Sequence, residues 1–128
     1  MLLQAAVAVL ALVPIGAGLA GAVFGIGVFG PVGSLGPDAD SLGRYLSGLL
    51  LAIGLAFWWT VPSIEAQGVR FRLLALLVFT GGLARLTGVF LIGLASPVML
   101  FALVMELFVT PCLAFWRERL DRLCRDAA

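Results

Sequence analysis

Four apolar stretches, each close to the length that carries an α-helix across hydrocarbon, leave this chain few ways to fold. They cover about residues 2–24, 42–61, 71–93 and 97–116. Lipid offers no hydrogen bonds to a peptide group, so a spanning segment must satisfy its own backbone as a helix or a closed barrel. Runs this long are helical, because a spanning strand needs only about ten residues. The expected fold is all-α: an integral membrane four-helix bundle in a single transmembrane domain over residues 1–128, with a polar tail at 117–128. A composition that is 62% hydrophobic and only 12% charged agrees. The length leaves no room for a soluble catalytic domain.

The first stretch lacks the basic start of a secretory signal, so it reads as a retained helix. Pro14 is placed to kink it. Gly18, Gly21 and Gly25 form a small-residue stripe, the last two at GxxxG spacing, which suits close helix contact. Residues 25–41 are rich in glycine and proline, with turn signals at Gly30-Pro31 and Gly36-Pro37. Val28 and Phe29 are expected to dip into the interface. Asp38, Asp40 and Ser41 stand where they would cap a helix whose body starts near Leu42. Trp58 and Trp59 match an aromatic belt, and Pro62 closes the second span. Pro97 suits the first turn of the fourth helix. The tail prolongs that helix, with Leu120, Leu123 and the arginines as a short amphipathic surface segment.

An even number of spans puts both termini on one side. Arg70 and Arg72 lie between spans two and three, and Arg117, Arg119, Arg122 and Arg125 lie in the tail. The other two connections contain no Lys or Arg. Positive-inside counting therefore expects both termini in the cytoplasm.

Two ionisable residues interrupt the apolar spans. Arg85 lies about 5 Å from the middle of span three, and Glu106 lies near the middle of span four. The short connection makes these spans antiparallel neighbours, so a charge-assisted Arg85–Glu106 pair is expected. Charges at such depth usually face protein and mark function or a structural lock. Arg44 opens span two. It is placed either to snorkel outward or to reach Glu106, and the second course would put two guanidiniums on one carboxylate and favour an anionic or carbonyl-bearing ligand. Gly81 and Gly88 flank Arg85 on one face, leaving space for a ligand or for another helix. Tyr45, Ser47, Thr80, Thr87 and Thr110 offer further hydrogen-bonding groups.

Several functions have little to stand on. There is no histidine, and Cys112 and Cys124 are the two cysteines. A haem or thiolate metal centre lacks ligands. The two thiols are about 18 Å apart along one helix, too far for a disulfide, and Cys112 reads as a small packing residue. No nucleophile stands with an evident general base, so no catalytic residue is assigned. One carboxylate makes a poor proton relay across a membrane. No cofactor, metal or nucleic-acid partner is expected.

Four motifs, Gly43-Arg44-Tyr45-Leu46-Ser47-Gly48, Gly81-Gly82-Leu83-Ala84-Arg85, Ser96-Pro97 and Met105-Glu106-Leu107, resemble a bacterial family of small membrane proteins, the domain of unknown function 4345. The resemblance runs from about Pro31 through Arg119. It implies that Arg44, Arg85 and Glu106 form a polar signature. Relatives often carry a glutamate shortly before the first arginine, whereas Ser41-Leu42-Gly43 stand here. That departure implies that Arg44 leans more on Glu106 or on an external anion. The family transfers no activity.

The leading functional expectation is a non-enzymatic scaffold or accessory subunit of a larger membrane complex, docking or self-associating through its Gly-rich first span. The alternative is binding or transfer of a lipid, quinone or other amphipathic small molecule at the Arg44, Tyr45, Arg85 and Glu106 cluster.

Overall fold

Apolar length does produce four long helices. A computed structural model describes residues 1–29, 36–93 and 96–126; the turn at Gly30-Pro31 and Ala95 lie outside the described residues. Helix α1 is Leu2–Phe24, α2 is Pro37–Thr60 and α3 is Gly68–Ile92. The last helix runs as α4 (Pro97–Val104), a π-helical turn (Met105–Val109) and α5 (Thr110–Asp126). Short 3-10 turns follow α1 at Ile26–Phe29 and α2 at Val61–Ser63. No strand occurs among the described residues. Four helical stretches, Leu2–Phe24, Pro37–Ser63, Gly68–Ile92 and Pro97–Leu123, are long and apolar enough to cross a membrane.

Helix α2 begins five residues before the expected start at Leu42. Pro37 occupies the first turn, where its missing N–H costs nothing, and the Gly36 carbonyl accepts from the amides of Ala39 and Asp40. No side chain caps this end. Asp38, Asp40 and Ser41 are therefore helical, which corrects their assignment as caps. Asp38 and Asp40 instead place negative charge at the positive end of the helix dipole.

The chain forms two compact units. One is Gln4–Val61, in which α1 and α2 pack antiparallel. Its buried positions on α1 include Val7, Ala11, Gly18 and Gly21; those on α2 include Gly43, Ser47, Gly54 and Phe57. Steps of three and four residues of this kind define one helix face. Close approach explains the glycines. A Cβ on Gly18 would lie 2.5 Å from the Leu51 backbone nitrogen, and one on Gly54 would lie 2.8 Å from the Ile15 side chain. The glycine stripe of span one is thus filled by α2 of the same chain. Gly25 serves differently: with φ +81° it ends α1 in the left-handed region, its amide donating to the Gly21 carbonyl at 3.0 Å. At the opposite end of the hairpin, Gln4 Nε2 donates to the Val61 carbonyl at 3.1 Å.

The other unit is Pro62–Ala128 with Met1–Leu3. Its apolar centre holds Leu3, Ile64, Phe71 and Ala75, with Phe71 fully buried. Arg117 joins this centre at 6% exposure, although its place in the tail suggests a surface residue. Its Nε donates to the Ile64 carbonyl at 3.1 Å and its Nη2 to the Glu65 carbonyl at 2.7 Å. Gly68 makes room, since a Cβ there would collide with the guanidinium. Beyond it Leu120 and Leu123 are exposed, as an amphipathic segment requires, and Arg72 pairs with Glu118 at 3.7 Å. Cys112 is exposed rather than packed.

Two substitutions check this packing. Gly18→Leu should destabilise the first hairpin by about 1–3 kcal/mol, the usual cost of overpacking, whereas Gly16→Leu, with open space around it, should be near neutral. Reversible unfolding in detergent micelles measures both. Arg117→Lys should fail to restore what Arg117→Ala loses, because one ammonium does not reproduce a planar fork on two carbonyls. Proteolytic nicking between Ser63 and Gly68 should rise in both variants; equal protection to the native chain would contradict the clamp.

Candidate functional site

The Arg85–Glu106 pair forms as expected. Arg85 projects from α3, and its Nε and Nη2 donate to the two carboxylate oxygens of Glu106 at 3.0 and 3.1 Å. This two-point geometry is stronger and more directional than a single contact. The side chains are 35% and 15% exposed respectively. Approach is set by Gly82, whose missing Cβ would stand 2.8–2.9 Å from the Leu107 and Glu106 side chains. Around Gly81 and Gly88, the two glycines that flank Arg85, none of the described residues lies within 4 Å of where a Cβ would stand.

Glu106 sits in the π-helical turn. Pro111 accounts for this irregularity, which the pattern of apolar spans does not announce. Proline inside a helix has no N–H for the carbonyl four residues back and its ring crowds that carbonyl, here Leu107. The turn before it widens, and the Thr110 amide donates to the Met105 carbonyl five residues earlier. The Thr110 hydroxyl donates to the same oxygen at 2.9 Å. A proline amid an apolar span is the signal that could have found it. Such π turns recur at functional sites.

The remaining donor of Arg85 has a poor partner. Its Nη1 donates to the thioether sulfur of Met99 at 3.0 Å. Thr80 and Thr87 donate to the Leu76 and Ala84 carbonyls of their own helix and do not accept from Arg85. Ser47 likewise donates to the Gly43 carbonyl.

Arg44 belongs to a separate polar cluster, inside the first unit. Its Nε pairs with Asp40 at 2.7 Å, and its Nη1 donates to the Ala22 and Val23 carbonyls at 3.0 and 2.7 Å. The guanidinium thereby satisfies terminal carbonyls of α1 that have no helical partner. Asp40 supplies the local carboxylate that Ser41, Leu42 and Gly43 do not offer. Tyr45, the next residue, is exposed.

Residues 2–117 match the family described as Domain of unknown function (DUF4345). The chain belongs to this family. No curated protein and no solved structure matches it. In this DUF4345 protein the matched segment contains Arg44, Arg85 and Arg117 together with the groups they bond.

Glu106→Ala should destabilise the protein more than Arg44→Ala. It leaves the Arg85 guanidinium with only the Met99 sulfur as acceptor; breaking such a pair costs about 3–5 kcal/mol when buried in soluble proteins, and less where the group is partly exposed or the unfolded chain in lipid finds other partners. Arg44→Ala instead leaves Asp40, 42% exposed and open to its surroundings. Folded fractions of Arg85→Ala, Glu106→Ala and the double variant should be non-additive, the double losing less than the sum; strict additivity would refute the coupling.

Proposed function

We propose that this DUF4345 protein is a four-span protein of a bacterial inner membrane, with both termini in the cytoplasm, that serves as a non-enzymatic scaffold or accessory subunit of a larger membrane assembly. The distribution of Arg70, Arg72 and the tail arginines supports the orientation.

The observation that carries the role is how little of the last helix the chain covers. None of the most apolar stretch within Pro97–Leu123 is buried. Val98, Phe101, Val104 and Phe108 recur along it at helical spacing, all exposed. The charged side chains are meanwhile engaged in holding the protein together: Arg44 on Asp40 and carbonyls, Arg85 on Glu106, Arg117 on carbonyls. The docking face assigned to span one moves accordingly. Gly18 and Gly21 already meet Leu51 and Ser47, so a partner is better served by the face of α4 and the π turn.

Purification from native membrane in several mild detergents tests this reading. A partner should be retained in fixed stoichiometry, and Phe101→Ala with Phe108→Ala should release it while the free protein stays folded. Recovery of monomer alone in every detergent would count decisively against a subunit role.

A further inference from the structure

We propose that Arg85 binds, through Nη1, the carbonyl oxygen of a neutral membrane amphiphile, an acyl ester or a quinone, on the face of α3 that it shares with Gly81 and Gly88. The proposal rests on the placement of α3 and α4 in a membrane and not on the presence of a partner subunit.

Nε and Nη2 each donate to Glu106, which leaves Nη1 as the nitrogen without a carboxylate partner. It meets the Met99 sulfur, one of the weakest acceptors a protein offers. An oxygen acceptor makes a stronger bond with a cationic donor. Neither Thr80 nor Thr87 accepts from Arg85: the partners of its guanidinium are Glu106 and Met99. Met99 has a flexible, polarisable side chain that can yield its place.

Space and charge narrow the ligand further. Gly81 lies one turn before Arg85 and Gly88 one turn after it, and none of the described residues lies within 4 Å of either absent side chain. The Arg85 side chain as a whole remains 35% exposed. The Arg85–Glu106 pair carries no net charge. A phosphate or free carboxylate would gain from Arg85 and lose against Glu106, whereas a carbonyl oxygen takes the hydrogen bond without that repulsion. Arg44 does not tilt this balance, because Asp40 neutralises it. A carbonyl attached to long apolar groups also suits the aliphatic setting of the site.

The test uses the full chain in nanodiscs of ether-linked phosphatidylcholine, which has no ester carbonyl. Ester-linked phosphatidylcholine or a decyl-substituted benzoquinone is added in separate arms, and the infrared carbonyl stretch is read. A lowered stretching frequency on binding is expected in one arm or both, and the arm that responds identifies the source of the carbonyl. Met99→Leu removes the competing sulfur and should tighten binding roughly two- to tenfold, the range for one hydrogen bond. Gly81→Leu and Gly88→Leu project into open space, so the fold should survive while the shifted band disappears. Absence of a shifted band in both arms would overturn the proposal. So would unchanged binding in folded Gly81→Leu and Gly88→Leu, or an affinity indifferent to Met99→Leu.

Discussion

A guanidinium in a low-dielectric setting must find acceptors, and so must the carbonyls left over at a helix end find donors. This protein answers both demands at once. Arg44 of α2 closes the end of α1 through Ala22 and Val23, and Arg117 of α5 holds the Ile64 and Glu65 carbonyls that precede α3. Arg85 of α3 meets the carboxylate of the π turn. Each arginine therefore fastens its own helix to a different segment of the same unit. That matters in a membrane, where lipid is as apolar as leucine and helices gain little from hydrophobic association.

Between these fastenings the helices approach through missing side chains. Gly18, Gly54 and Gly82 each lie against a neighbouring backbone or side chain at distances a Cβ would violate. Close approach increases dispersion contacts and shortens the reach of the polar groups. Gly82 shows the connection: by admitting Leu107 and the Glu106 Cβ, it brings the carboxylate within range of Arg85, one turn further along α3. Pro111 acts from the other helix by opening the turn that carries Glu106. Packing and electrostatics are one arrangement here.

The two functional proposals use different surfaces of the second unit. The subunit role concerns the bulky exposed face of Val98, Phe101, Val104 and Phe108. The carbonyl site concerns the small-residue face of α3 around Arg85. Both follow from charge that is turned inward: Arg44 and Arg117 end on oxygen acceptors, and one arm of Arg85 ends on a sulfur.

Much of this was legible beforehand. Four helices, both ends of the first, the C-terminal end of the third, and the Arg85–Glu106 pair all follow from apolar length and from two charges at matching depth. The third begins at Gly68, taking in Arg70 and Arg72 that were expected before it. The pairing of Arg44 was obscured by a boundary. With the helix begun at Leu42, Asp40 belonged to a loop; begun at Pro37, it stands one turn before Arg44 on the same face. Arg117 was obscured by composition, since a basic tail reads as solvated until a glycine opposite it makes room.

The amino-acid order alone determined how many helices there are, how long they run, and which charged residues share a depth, because these depend on distance along a helix. Tertiary structure decided rotation about each axis. A helix apolar on all sides carries no polar face to mark its outward direction, so only the packed neighbours reveal that Gly82 touches the next helix while Gly81 and Gly88 stand open.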